Sequence, residues 1–285
     1  MNIAIITDST CDLSASAEAA YQIDIVPLMV TFGEKAYRDG IDLTNSEFYL
    51  RLAKAEILPT TSQPTPAAFQ EVFRRRLDEG KDIVGIFISA GLSGTYQSAM
   101  IARSSFINEE QSRIYLIDSQ QATGSLGILV HQACKMRDQG AGAKEIADSI
   151  NELVPRTRLY ALFDTLKYLK MGGRLSAAAA AAGGLLNISP VCSLVNGKLV
   201  PIAKIRKRQN VFHQWLREKL LTDIPDPQYS AAFLHSDAPA LAAALQEEFK
   251  YLLSPDKTLT LSLGAVVGTH TGPNAQGIAY IAKAK

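Results

Sequence analysis

The sequence predicts an α/β protein with an N-terminal Rossmann-like parallel-sheet domain and a smaller C-terminal α/β domain built on a mixed sheet. Three observations carry this prediction. Through the first half, short apolar runs alternate in strict turn with helix-period segments, as parallel strands joined by crossover helices do. In the second half Asn196-Gly197 sits between two apolar runs and is the strongest hairpin signal in the chain. Polar residues also collect just after the apolar runs: Asp8-Ser9, Ser89 to Ser93, Asp118-Ser119, His235-Ser236 and Thr269-His270. Open parallel sheets bind ligands outside the carboxyl ends of their strands, so this distribution points at one rim.

Taken in order, Ile3-Ala4-Ile5-Ile6 reads as a strand and 14–21 as a helix. Residues 25–30 are extended, with Pro27 marking an edge or a bend. Residues 48–55 read helical. Thr65-Pro66 is a cap and first-turn proline, after which Phe69, Val72, Phe73 and Leu77 share a face until Gly80. The strand 83–88 breaks into a Ser/Gly loop, and a helix starts near Tyr96. A strand at 114–117, helices at 125–139 and 143–154, and a strand at 159–163 follow. Residues 177–182, all alanine, are helical by propensity. The hairpin arms are 191–195 and 199–203. Strands at 231–234 and 259–267 flank a helix at 240–253, and a strand at 278–282 ends the pattern. A boundary near Val154-Pro155 divides the chain into domains 1–155 and 156–285.

The chain has 285 residues, 47% of them hydrophobic and 20% charged, the composition of an ordinary globular protein with no disorder signature. A net charge of +1 gives no electrostatic case for nucleic acid or an anionic membrane surface. Cys11, Cys134 and Cys192 are scattered and lack metal-ligand spacing, as expected of reduced, buried cysteines. The first apolar run ends at Asp8, too short for a signal-peptide core, and no run reaches spanning length. A cytoplasmic location and no transmembrane segment are therefore expected.

Ser93 and Gly94 stand where a strand hands over to a helix N-terminus, a place that offers free N–H groups and the positive end of the helix dipole. Ser93 is open to two readings, a plain N-cap or a hydroxyl donor to a bound anion. A second hydroxyl cluster, Thr60-Thr61-Ser62-Gln63-Pro64, precedes another helix and adds weight to the anion. Gly172-Gly173-Arg174 lacks the Lys-Ser/Thr of a phosphate loop. Lys204-Ile205-Arg206-Lys207-Arg208 is a dense basic run, a pattern that usually marks solvated surface.

Thr61-Ser62-Gln63-Pro64 together with Leu92-Ser93-Gly94-Thr95-Tyr96 resembles the DegV family, bacterial fatty-acid-binding proteins that include the FakB-type subunits of fatty acid kinase. The likeness runs the length of the chain, through Thr7-Asp8-Ser9-Thr10, Ile117-Asp118-Ser119, Gly172-Gly173-Arg174-Leu175-Ser176, Leu185-Leu186-Asn187-Ile188 and His270-Thr271-Gly272-Pro273. Ala90, Ser189 and Asn274 depart from the family pattern, and Asn274 matters most, because asparagine takes left-handed backbone less readily than glycine.

The resemblance implies a long-chain fatty acid of the palmitate or oleate class in an interdomain tunnel, with no cofactor and no catalysis by this chain. Thr61, Ser62, Ser93, Gly94 and His270 would bind the carboxylate, with His270 adding a charge if protonated. The N-terminal domain would grip that group and the C-terminal domain would close over the acyl chain, with 177–186 a tunnel wall or simple helix packing. A separate ATP-dependent fatty acid kinase would convert the bound acid to an acyl phosphate for phospholipid synthesis. Arg174 and Arg206 would dock that kinase or face the phosphate, and membrane contact would be transient. The rival is a serine hydrolase with Ser93 as nucleophile and His235 or His270 as base, though the chain has no Gly-x-Ser-x-Gly elbow. A nucleotide-dependent enzyme lacks its glycine-rich fingerprint after the first strand.

Overall fold

The computed structural model describes residues 2–175, 188–206, 209–250 and 258–284. In chain order the elements are β1 (Ile3–Asp8), α1 (Ala15–Tyr21), β2 (Asp24–Val26), β3 (Met29–Phe32), β4 (Lys35–Arg38), α2 (Asn45–Lys54), β5 (Thr60–Ser62) and α3 (Pro66–Asp78). Next come β6 (Asp82–Phe87), α4 (Thr95–Ser104), α5 (Asn108–Gln111), β7 (Ile114–Asp118), α6 (Gly124–Asp138), α7 (Ala143–Leu153), β8 (Thr157–Leu162) and α8 (Lys167–Met171). The last group is β9 (Ile188–Val195), β10 (Lys198–Arg206), α9 (Gln209–Thr222), β11 (Ala231–His235), α10 (Pro239–Phe249), β12 (Thr258–Ser262), α11 (Ala265–Thr271) and β13 (Gln276–Ile281).

Four strands in the order β2-β1-β6-β7 form a wholly parallel sheet, as the alternation predicts. Six strands in the order β10-β9-β8-β13-β11-β12 form a mixed sheet, parallel only between β11 and β12. The C-terminal half thus holds the wider sheet. A third, antiparallel sheet, β4-β3-β5, was not legible in the sequence. It arises at Pro27: residues 25–30 are not one extended run, because β2 pairs with β1 and the chain then leaves for β3. Proline lacks the N–H that would continue the ladder.

Helix α6 is buried on nearly every side, between the parallel sheet and the six-stranded one. Its close packing needs small residues, since a Cβ at Gly127 would meet the Cys11 carbonyl oxygen at 2.7 Å. The largest core cluster joins both sheets through this helix, with Ile5, Val84 and Ile86 on one side and Leu159, Ala232 and Ala279 on the other. Helices α3 and α4 cover the outer face of the parallel sheet through Phe69, Phe73 and Ala99. Helices α9 and α10 cover the outer face of the mixed sheet through Phe212, Leu216, Leu245 and Phe249. Each such side chain contributes about 1.5–3 kcal/mol of burial.

The expected strand 259–267 is corrected. β12 stops at Ser262, and α11 begins three residues later. Val266 and Val267 favour a strand locally, but the first N–H groups of this turn are captured by distant carboxylates, Asp12 at Gly264 (2.8 Å) and Asp39 at Ala265 (3.0 Å). His270 therefore lies on a helix and not in a loop. The expected helix 177–182, the stretch Leu185-Leu186-Asn187, Ser176, Lys207, Arg208 and the end of the 240–253 helix from 251 onward lie outside the described residues.

Candidate functional site

Two polar segments meet beside the parallel sheet. β5 pairs with β3 through Val30 and Thr61, and its end leads through Gln63 into the capped start of α3. β6 ends where the Asp8 carboxylate accepts the Ile88 N–H at 2.8 Å, and the Ser/Gly loop then turns into α4. Gly94 is the N-cap of α4 and offers no side chain of its own. A methyl group there would run into the Gln63 carboxamide, so glycine is what lets the two segments touch. Gln63 Nε2 then donates to Ser98 Oγ at 3.2 Å, tying β5 to the first turns of α4. The Ser93 hydroxyl lies 2.8 Å from Thr95 Oγ1 and accepts weakly from the Thr95 N–H, leaving the rest of the helix start open.

The third contribution comes from α11. His270 Nε2 and Thr61 Oγ1 stand 2.9 Å apart. The other ring nitrogen, Nδ1, is buried against Gly172, where a side chain would overlap it, and has no partner among the described residues. Arg174 closes this corner, its Nη1 donating to the Gly172 carbonyl at 2.7 Å and its Nε to the Leu92 carbonyl at 3.3 Å. Among the described residues Arg174 has no carboxylate partner. Burial, and secondarily the charge of Arg174, push the His270 pKa down to about 4. Burial thus disfavours the charge that a protonated His270 would add, and Arg174 carries the positive charge of this corner.

These groups line one cavity of about 300 Å³, at the lower end of the range for small-molecule sites. Thr61, Ser62, Ser93, Arg174 and His270 are on its wall, and Gly94 adjoins it behind Ser93 and Gln63. The remaining wall is largely apolar and draws on the six-stranded sheet and on the segments that follow the parallel strands, with Ile88, Leu159, Phe163, Leu194, Leu199 and Leu234 among its residues. Arg206 is the last residue of β10, paired with Ile188, and its side chain lies outside the described part of the structure.

Several rim residues hold the scaffold. Asp8 caps the turn at Thr10, Ser119 Oγ donates to the Phe87 carbonyl, and Ser89 Oγ donates to the Gly197 carbonyl. His235 Nδ1 accepts the Ala238 N–H at 3.3 Å. No histidine nitrogen is hydrogen-bonded to Ser93 among the described residues. Cys134 and Cys192 are buried, which pushes their thiols up to about 12.

The model of the DegV family, described as a family of uncharacterised proteins, matches residues 2–283. The chain belongs to the DegV family. Protein DegV of Bacillus subtilis is 33% identical over 287 residues, covering 99% of this chain and 100% of that protein. A DegV family protein from Thermus thermophilus that binds fatty acid superposes with a TM-score of 0.88 at 30% identity, over 99% of this chain and 100% of that one. A stearic-acid-binding protein from Eubacterium ventriosum does so with a TM-score of 0.88 at 30% identity, over 98% of each chain.

Two of the three departures from the DegV pattern are accommodated through the backbone. Asn274 adopts the left-handed backbone that glycine would supply (φ +62°), and its N–H donates to the Ser236 carbonyl at 2.7 Å. Ala90 uses only its backbone, donating to Asp118. Sequence reading missed three contributors to this DegV site. Gln63 stitches the two hydroxyl segments together. Gly172 makes room for the His270 ring. Thr123 lines the cavity at φ +52°, a conformation costing a β-branched residue about 1–3 kcal/mol. Gly172 carried a signal as part of Gly172-Gly173-Arg174 and Gln63 as part of Thr60-Thr61-Ser62-Gln63-Pro64, whereas Thr123 carried none.

Among the described residues no helix is long and apolar enough to cross a membrane, and no cluster of three metal-ligating side chains occurs.

Proposed function

We propose that this protein binds a long-chain fatty acid of the palmitate or oleate class in the cavity between its sheets and presents the carboxylate to a separate ATP-dependent kinase. The observation that carries the reading is the make-up of one cavity wall. Thr61, Ser93, Arg174 and His270 gather on a surface otherwise made mostly of aliphatic side chains. A fatty acid needs both environments. Burying about fourteen methylenes at roughly 0.8 kcal/mol each gives a gross gain of about 10 kcal/mol, reduced by chain ordering. The head-group donors then have to keep the carboxylate from being buried unpaired.

In this reading residues 1–155 supply Thr61, Ser62, Ser93 and the open helix start behind Gly94, and residues 156–285 close over the acyl chain while returning Arg174 and His270 to the head group. With Nε2 protonated, the imidazole donates to Thr61, and the Thr61 hydroxyl proton turns to the carboxylate. The bound anion favours the protonated form of His270, against the downward push of burial, while the neutral ring already serves as a donor. The kinase step joins a carboxylate oxygen to the γ-phosphorus of ATP as ADP leaves, giving the acyl phosphate. Arg174, free of carboxylate partners among the described residues, suits the negative charge that grows there. Arg206 is assigned to kinase docking on family resemblance. The chain itself catalyses nothing in this scheme and carries lipid through the cytoplasm with transient membrane contact.

The test is native mass spectrometry of protein purified from bacteria, followed by organic extraction. One long-chain fatty acid per chain is expected, and loss of acyl-phosphate formation when this protein is withheld from a bacterial fatty acid kinase and ATP. No extracted lipid and no binding of added palmitate or oleate would overturn the reading. Stoichiometric labelling of Ser93 by a fluorophosphonate would favour a serine hydrolase instead; the pairing of Ser93 with Thr95 argues against that outcome.

A further inference from the structure

We propose that Asp12 and Asp39 are positioning residues for the head-group site, setting the tilt of α11 and through it the place of His270. This inference rests on the head-group role of His270 argued above. The two carboxylates come from the N-terminal half, Asp12 just after β1 and Asp39 just after β4, and neither touches the cavity. Both are buried, with 9% and 4% of their surface exposed, and both end on the first turn of α11. Asp12 Oδ1 accepts the Gly264 N–H at 2.8 Å, and Asp39 Oδ1 accepts the Ala265 N–H at 3.0 Å. A Cβ at Gly264 would lie 3.0 Å from the first and 3.3 Å from the second, so the pair encloses the N-cap. Tyr49 OH adds a third tie, donating to the Leu263 carbonyl at 3.1 Å. Further along, Gly268 admits the same tyrosine, since a Cβ there would meet Tyr49 OH at 2.7 Å and Phe48 at 2.6 Å.

The arrangement is a lever. His270 is five residues beyond Ala265, about 8 Å along the axis at roughly 1.5 Å per residue. A tilt of about 7° at the clamped end moves the ring by about 1 Å. That is enough to take the 2.9 Å contact with Thr61 out of hydrogen-bonding range. α11 has only seven residues, too few to hold its own geometry without such ties. Two buried carboxylates on adjacent N–H groups are costly to keep, and fixing the bearing of a ligand-contacting helix accounts for them.

The experiment is a double-mutant cycle on delipidated protein, with palmitate displacing a fluorescent fatty acid. Asp39→Ala is expected to weaken binding about tenfold, whereas Asp39→Asn, which keeps an oxygen for the Ala265 N–H, stays within about threefold of wild type. In a His270→Ala background Asp39→Ala should cost less than about twofold, because the lever then moves no head-group donor: Val266 and Val267 sit beside the clamp, and the Thr271 hydroxyl is engaged by the Val267 carbonyl. Should Asp39→Ala fail to melt cooperatively, Tyr49→Phe takes its place in the cycle, with an expected loss of about threefold that also vanishes without His270. Equal losses with and without His270 would overturn the proposal and make the clamp purely structural. Failure of wild-type protein to bind palmitate would instead overturn the fatty-acid reading.

Discussion

His270 Nε2 and Thr61 Oγ1, separated by 209 positions in the chain, meet at 2.9 Å on the wall of the cavity. Neither side chain could hold a carboxylate well alone. Together they form a neutral donor pair beside the Arg174 guanidinium, in surroundings dry enough to push the imidazole down to about 4. If the proposed head-group site is right, removing both hydroxyls, by Thr61→Ala with Ser93→Ala, should cost about 1.5–3 kcal/mol of fatty-acid binding for each donor lost. Titration calorimetry with palmitate checks this, and the melting temperature should change little. Unaltered affinity would place the carboxylate elsewhere.

Gly172 offers a test that leaves the head-group residues intact. Its backbone is helical (φ −77°, ψ −6°), so alanine fits the conformation, yet the added methyl would overlap His270 Nδ1. Gly172→Ala should therefore displace the ring and weaken fatty-acid binding by about 1–3 kcal/mol without straining the chain at its own position. Binding equal to wild type would show that the ring moves freely or is not needed.

Two buried groups give stability opposite pH slopes. Burial raises Asp39 from 3.8 to about 6, so its contribution is full below pH 3.8 and is lost as pH rises through about 6. His270 is depressed from 6.5 to about 4, so its contribution is present above pH 6.5 and is lost as pH falls through about 4. Asp39→Asn should remove its share of the opposing slope, so that stability of the lipid-free protein rises more steeply (or falls less) from pH 4 to 6.5 than in wild type, with Asp8 and Asp12, also raised by burial, still opposing His270. Urea unfolding across that range is the measurement. A curve identical to wild type would show that Asp39 titrates normally.

Much of this fold is written locally. The alternation from β1 to β7 and the Asn196-Gly197 turn are short-range patterns, and both sheets follow from them. Helix α9 is local in the same sense: Val211, Phe212, Trp215, Leu216 and Leu220 recur at helical spacing and share a face. The three-stranded sheet is different, since β5 is only Thr60–Ser62, polar and short, and becomes a strand because β3 lies beside it. α11 differs in the same way. Its local preference is for a strand, and its capping carboxylates lie 252 and 226 positions upstream. The hydroxyl clusters were visible because they sit at helix starts, whereas the state of His270 depends on burial that no local pattern encodes.

The hairpin supplies the last prediction. Ser89 Oγ donates to the Gly197 carbonyl at 2.7 Å, tying the tip of β9–β10 to the loop after β6. Gly91 is pressed against the same carbonyl, and Gly197 itself stands at φ +73°. The hairpin arms carry Leu194 and Leu199, both on the cavity wall. Ser89→Ala would leave a buried carbonyl unpaired at a cost of about 1–3 kcal/mol. Because the lost contact tethers a wall and not a head-group donor, the change should appear as faster lipid release, up to about tenfold, with little change in association rate. Stopped-flow displacement of a fluorescent fatty acid separates the two rates. An unchanged release rate would mean that the hairpin stays shut without its latch.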